Sequence, residues 1–131
     1  MSAVASFTSA LTTAGKVPAE AFKSAYDAVA AAGDDAAVSD AEQSAALKAA
    51  FEFATELVKK LNKDPGNEEK LKLYAYFKRA RDETPAEPSF YQIESKYKYN
   101  AWKEISHISQ QKAQALYIQQ VNSLIDSIGL Q

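Results

Sequence analysis

Apolar residues recur along most of the chain with the period of an α-helix, and five segments follow this pattern. In the first segment, Phe22, Tyr26 and Val29 stand at positions i, i+4 and i+7, which places them on one helix face. Pro18 suits the first helical position, and Gly33 supplies a stop signal. The pattern therefore predicts an amphipathic helix in the first quarter of the chain.

Four further segments show the same period, and some carry recognisable end signals. Ser39 and Glu42 form an S-x-x-E capping box at the start of the second helix. Asn67 is placed to cap the third helix, and Gly129 stops the last one. We predict the five helices over residues 18–32, 39–61, 67–81, 93–105 and 109–127.

The segments between these helices are typical loops. Residues 64–67 read Asp-Pro-Gly-Asn, and residues 84–88 contain two prolines, each of which lacks an amide donor and fixes its own φ. Strand signals are absent, because the β-branched residues are scattered and no hairpin dipeptide occurs. The sequence predicts an all-α protein packed as a helix bundle.

The residue inventory excludes most catalytic and metal-binding sites. There is no cysteine and only one histidine, His107, so neither a Cys–His dyad nor a zinc site can be assembled. No G-x-S-x-G elbow and no Gly-rich phosphate loop occurs. Asp34, Asp35 and Asp40 lack the spacing of an EF-hand loop. We expect no catalytic residue, no metal and no cofactor.

Charge and hydropathy narrow the range of partners. The net charge is −2, without the basic stripe of a nucleic-acid binder, and no apolar run is long enough for stable insertion into a membrane. Residues 1–15 are rich in Ser, Thr and Ala and contain no Arg. A transit peptide is therefore the weaker alternative, and we expect a cytoplasmic monomer.

One face of the third predicted helix combines aromatic rings with cations. Tyr74, Phe77, Lys78 and Arg81 stand at i, i+3, i+4 and i+7, so their side chains share one face. Such a face can hold phosphates through charge-assisted hydrogen bonds and stack on a base. The fourth helix also has a cation beside an aromatic ring, because Lys98 and Trp102 stand at i and i+4. The fifth helix contributes the ring of Tyr117.

Periodicity alone leaves a second interpretation open. An aromatic stripe at helical spacing is usually part of a core, and a lysine beside it usually extends its ammonium into water. Under that interpretation the third helix contributes to packing only, and the cations bind nothing.

The order and spacing of these residues resemble the acyl-CoA-binding protein family from Phe51 to the C-terminus. The resemblance covers about 80 residues, nearly the whole domain of that family. It is carried by the segments LKLYAYFKRA at 71–80, KYNAW at 98–102 and AQALYIQQV at 113–121. It implies a four-helix acyl-CoA-binding-protein-like bundle over residues 47–131, with residues 1–46 as an extension that holds one extra N-terminal helix.

The resemblance also implies a function and a site. The function is that of a carrier or buffer for long-chain acyl-CoA, without enzymatic activity. Trp102 matches a packing tryptophan of the family. The family's contacts with the CoA head group fall on Lys59, Tyr74, Phe77, Lys78, Lys98 and Tyr117. Its contacts with the acyl chain fall on Phe51, Thr55 and Leu71.

Several departures from the family pattern keep alternatives open. Phe77 replaces the usual Tyr, Glu94 puts a negative charge near the rim, and Tyr97 is bulkier than the usual residue. A protein-interaction module of the same fold that has lost its ligand is the first alternative. An accessory domain of an acyl-CoA-using enzyme, such as an isomerase, is the second.

The extra N-terminal helix has an apolar stripe that must be buried, and three arrangements would bury it. The helix packs back on the bundle, associates with a second copy of itself, or covers the mouth of the pocket. We favour packing on the bundle.

Overall fold

The computed structural model describes residues 4–131, and these form six α-helices. The only extended pairing among them is an isolated antiparallel bridge between Leu61 and Leu130, so the predicted all-α class is confirmed. The helices are α1 (Ala5–Ala14), α2 (Ala19–Ala31), α3 (Ala41–Val58), α4 (Asn67–Ala80), α5 (Ile93–Ile105) and α6 (Gln110–Ile128).

Helix α1 is the element that the sequence pattern did not predict, so the extension holds two helices and not one. It buries Phe7 and Leu11 completely. Val4 precedes the helix, with no side-chain hydrogen bond that caps it. The backbone N–H of Phe7 instead donates to Asn122 Oδ1 on α6, at 2.8 Å. Gly15, with φ of +66°, ends the helix in the left-handed conformation.

Helix α2 buries the predicted stripe of Phe22, Tyr26 and Val29. Pro18 has extended backbone and precedes the first helical residue, so it lies one position earlier than predicted. The ring of Phe22 lies 5.5 Å from that of Phe7, centroid to centroid, and joins α2 to α1.

Both N-terminal helices pack against α3 and α6, which agrees with the favoured alternative for the extension. Phe7 of α1 contacts the ring of Phe53 on α3 at 6.0 Å, and one hydrophobic core runs through all four helices. Among the described residues, α1 and α2 make no contact with α4 or α5. The extension therefore covers the side of the bundle that faces away from α4 and α5.

Two predicted N-terminal caps are wrong, and the structure adds a cap at Ser109 that was not predicted. Helix α3 begins at Ala41, because Asp40 and not Ser39 accepts the hydrogen bond from the Gln43 N–H, at 2.9 Å. Asn67 is the first residue of α4 and forms no cap, since Gly66 holds that position. Ser109 caps α6 by accepting from the Lys112 N–H at 3.0 Å.

Helix α4 lies between α5 and α6, and α5 packs against α4 alone within residues 4–131. Helix α5 has no fully buried residue, and α4 is its one helical neighbour in this part of the chain.

The C-terminal residues are hydrogen-bonded to the loop after α3. The Gln131 N–H donates to Lys60 O at 2.8 Å, and the Asn62 N–H donates to Gly129 O at 2.9 Å. Over the described part of the chain, no helix has both the length and the apolar character needed to cross a bilayer.

Candidate functional site

A cleft of about 1400 Å³ opens beside α4, between the C-terminal part of α3 and the first turns of α5. Helix α6 contributes Tyr117 to its lining. Seven of the nine residues that the resemblance assigned to ligand binding line this cleft: Thr55, Lys59, Leu71, Tyr74, Phe77, Lys98 and Tyr117. The fold thus brings together residues that are up to 62 positions apart along the chain (117 − 55).

The remaining two predicted residues lie next to the cleft rather than in its lining. Phe51 is 3% exposed and belongs to the core, with its ring 5.1 Å from that of Tyr117. Lys78 is half-buried, and its ammonium lies beside the ring of Tyr74. Phe51 therefore supports the cleft from behind, and Lys78 borders it.

Two ammonium groups approach one tyrosine ring at the cleft. The Lys78 Nζ lies 5.9 Å from the centroid of the Tyr74 ring, and the Lys98 Nζ lies 5.6 Å from the same centroid. These distances are within the range of cation–π attraction. Lys78 comes from α4 and Lys98 from α5, so the packing of these two helices creates a cationic corner around Tyr74.

The rings of Phe77 and Tyr117 form the base of the cleft, and the ring of Phe51 lies behind them. Phe77 lies 6.3 Å from Tyr117 and 6.1 Å from Phe51, between ring centroids. These two pairs are tilted, and the Phe51–Tyr117 pair is edge-to-face; contacts of this kind add stability beyond the burial of apolar area. Burial raises the pKa of Tyr117 to about 12, so its phenol stays protonated near neutral pH and can donate a hydrogen bond.

Each predicted head-group lysine has a carboxylate neighbour. Lys59 pairs with Glu56 at 3.6 Å, and Lys98 pairs with Glu94 at 3.7 Å. Both pairs lie within one helical stretch, and all four side chains are well exposed, so each pair contributes little to stability. Lys78 pairs with Glu83, from the loop after α4, at 3.5 Å.

Sequence reasoning missed part of the lining at the start of α5. Ile93 and Tyr97 line the cleft although their side chains are 65% and 62% exposed. They stand at i and i+4 on α5, so the helical period could have paired them. The family pattern marks Tyr97 only as a departure in bulk, and it gives Ile93 no role. Together they add exposed apolar surface to the cleft at the start of α5.

Arg81 and Glu94 also line the cleft, with Asp64 in the loop before α4. The helical period places Arg81 on the same face as Tyr74, but the family resemblance assigns it no role. Among residues 4–131, no cluster of three or more His, Cys, Asp or Glu is arranged to hold a metal ion.

The family model for acyl CoA binding protein matches residues 48–121, a range that contains all nine predicted site residues. An acyl-CoA-binding protein homolog from Manduca sexta is 39% identical over 88 residues, which cover 65% of this chain and 98% of that protein. Enoyl-CoA delta isomerase 2 of Rattus norvegicus is 39% identical over 79 residues. That match covers 59% of this chain and only 20% of the isomerase.

The fold has a solved relative as well. The crystal structure of Oryza sativa Acyl-CoA-Binding Protein 2 superposes with a TM-score of 0.58 at 32% sequence identity. The superposition covers 62% of this chain and 92% of the rice protein. The family match begins at residue 48, inside α3, so α1 and α2 lie outside it.

Proposed function

Since this chain belongs to the acyl-CoA-binding protein family, we propose that it binds long-chain acyl-CoA esters in the cleft beside α4 and carries them unchanged. The observation that carries the proposal is the cationic corner, in which Lys78 and Lys98 approach the ring of Tyr74. Two ammonium groups from different helices at one ring form a position for a phosphate group.

In this proposal the head group of the ester binds at the cationic corner and at the base of the cleft. Lys78 and Lys98 hold the 3′-phosphate of the CoA ribose with Tyr74, and Tyr117 contacts the adenine. Phe77 offers a ring face in place of the hydroxyl that the family usually has there. Lys59, which follows the last residue of α3, provides a further ammonium group at the cleft.

The acyl chain lies along the apolar part of the cleft, where Thr55, Leu71 and Ile93 contribute to the lining. Each buried methylene contributes about 0.8 kcal/mol, so a sixteen-carbon chain gains about 10 kcal/mol before costs. Loss of motion on association and ordering of the chain offset a large part of that gain. The acyl chain therefore supplies affinity, and the head-group contacts supply selectivity for CoA esters over free fatty acids.

We infer a carrier rather than an enzyme from the chemistry of the lining. The lining contains carboxylates, lysines and aromatic rings, but no histidine or serine. The match to the isomerase covers a fifth of that protein. As part of the same proposal the carrier works as a cytoplasmic monomer, which light scattering and imaging of a tagged chain would test.

Calorimetric titration with palmitoyl-CoA tests the proposal. We expect a dissociation constant of about 1 μM or tighter, weakening as salt is added, because charge pairs hold the phosphates. Palmitate and free CoA are the matched controls, and each should bind far more weakly than the ester. Binding no tighter than about 1 mM would reject the carrier and favour the protein-interaction module. Mass spectrometry of lipids on the freshly purified protein distinguishes these two independently.

A further inference from the structure

Arg81 lies at the cleft. The helical period places it on the same face as Tyr74 and Lys78, but the family resemblance assigns it no contact with the ligand. It follows the last residue of α4 and lines the cleft. Its guanidinium carbon lies 5.2 Å from the centroid of the Phe77 ring, within cation–π range. The ring thus holds the guanidinium near the base of the cleft, one helical turn from Lys78.

Glu83 bridges the two cations. Its Oε1 atom lies 3.5 Å from the Lys78 Nζ and 3.5 Å from the Arg81 Nε. The backbone brings the carboxylate back to α4, because Asp82 has a φ of +55° and the Glu83 N–H donates to Lys78 O at 2.8 Å. One anionic oxygen therefore occupies the position between Lys78 and Arg81.

This bridge differs from the other ion pairs at the cleft. Glu56 and Glu94 each pair with one lysine of their own helical stretch, and their side chains are 66% and 88% exposed. Glu83 is 41% exposed and pairs with two cations, one of which, Lys78, is 29% exposed. Its interactions are screened less by water, so an anion that replaces it experiences a stronger field.

We propose that Arg81 is a further phosphate-binding residue and that Glu83 competes with the ligand for the position between Arg81 and Lys78. The inference rests on the proposed function, since the anion in question is a phosphate of the CoA head group. A phosphate has more charge and more acceptor oxygens than a carboxylate, and arginine can bind it through two parallel hydrogen bonds. On binding, the phosphate displaces the Glu83 carboxylate, which moves into water. Glu83 thereby lowers the affinity for CoA esters.

The test is calorimetric titration of palmitoyl-CoA into variants of the full chain in a low-salt buffer. Glu83→Gln keeps the shape and removes the competing charge, so the ester should bind about two- to fivefold tighter. Arg81→Gln should weaken binding about three- to tenfold. Glu87→Gln is the matched control, because it removes the same charge from an exposed residue of the same loop that pairs with neither Lys78 nor Arg81, and it should bind like the wild type.

The outcomes separate this inference from the proposed function. If the wild type binds palmitoyl-CoA with a dissociation constant no tighter than about 1 mM, the proposed carrier function itself is rejected. If the wild type binds but Glu83→Gln binds equally or more weakly, Glu83 positions the cations and does not compete, and the inference is overturned. Thermal melting checks that each variant is folded. Arg81→Gln, at a half-exposed side chain, tests the inference even if Glu83→Gln does not fold, and unchanged affinity there also overturns it.

Discussion

Lys112, on α6, donates a hydrogen bond from its ammonium nitrogen to the carbonyl oxygen of Ala32, 2.9 Å away just past the end of α2. The same nitrogen donates to Ala30 O at 3.0 Å and to Val29 O at 3.3 Å. Lys112 is only 8% exposed. The last carbonyls of a helix have no partner within it and carry partial negative charge, so this buried cation satisfies the end of α2. The contact ties the N-terminal extension to the helix that also carries Tyr117.

Replacing Lys112 by Met retains the length of the side chain and removes the three hydrogen bonds. We expect the free energy of unfolding to fall by about 1–3 kcal/mol, because the carbonyls at the end of α2 lose a charged donor. Urea denaturation followed by circular dichroism measures the change. Lys103→Met, at an exposed position of α5, is the control and should stay within about 0.5 kcal/mol of the wild type. Equal midpoints for both variants would contradict a capping role.

The core under the extension gives a second prediction. Phe7 is fully buried against Phe22 and Phe53, so Phe7→Ala should lower the free energy of unfolding by about 3–5 kcal/mol. Phe90→Ala, at a side chain that is 88% exposed, is the matched control and should change it by no more than about 0.5 kcal/mol. In conditions where both variants remain folded, Phe7→Ala should bind palmitoyl-CoA like the wild type, since Phe7 does not belong to the cleft lining. Equal stability of the two variants would show that α1 does not pack as described.

The failure to predict α1 has a physical cause. Helix prediction from sequence depends on local end signals, and Val4 at the start of α1 offers no capping side chain. The side-chain acceptor at this end is Asn122 Oδ1, which accepts from the Phe7 N–H and lies 115 residues away in the chain. The apolar stripe of α1 is also short: its large apolar residues are Phe7 and Leu11, and the other residues of the helix are Ser, Thr and Ala. By contrast, α2 has a longer apolar stripe and a proline before it, and its predicted bounds differ by one residue at each end.

The site was predictable in part for similar reasons. The helical period alone places Tyr74 and Lys78 on one face of α4, and the family resemblance adds Lys98 and Tyr117 from other helices. The position of Glu83 was not predictable, because it depends on the left-handed backbone at Asp82. No sequence period describes such a turn. The roles of these residues in ligand binding remain predictions.

Lys98 provides a test of the head-group contacts. Lys98→Ala should weaken binding of palmitoyl-CoA about five- to tenfold, because one charged contact to the 3′-phosphate is lost. Palmitoyl-dephospho-CoA lacks that phosphate, so wild type and Lys98→Ala should bind it with equal affinity. Lys96→Ala removes an exposed lysine from the same helix outside the cleft lining, and it should bind both esters like the wild type. A fold-change at Lys98 that persists with the dephospho ester would assign the lysine to a different part of the ligand.

The buried phenol of Tyr117 makes stability depend on pH in the alkaline range. Its pKa is raised to about 12 by burial, whereas a tyrosine in the unfolded chain titrates near pH 10. Below about pH 10 both states hold the proton, and this group adds no pH dependence. Between about pH 10 and pH 12 the unfolded chain releases a proton that the folded protein keeps. The free energy of unfolding should therefore fall by up to about 1.4 kcal/mol per pH unit from this group.

Tyr117→Phe keeps the ring and removes the titrating hydroxyl, so it should lose less stability than the wild type when the pH rises from about 9 to about 11.5. Urea denaturation at the two pH values gives the difference, and comparing the variants cancels the contributions of the residues that they share. Part of the alkaline loss should persist, because burial also raises the pKa of Tyr26 and Tyr76. Tyr91→Phe, at a side chain that is 72% exposed, is the control and should follow the wild type. If Tyr117→Phe also follows it, water reaches the Tyr117 hydroxyl, and the closed aromatic base of the cleft is not the state in solution.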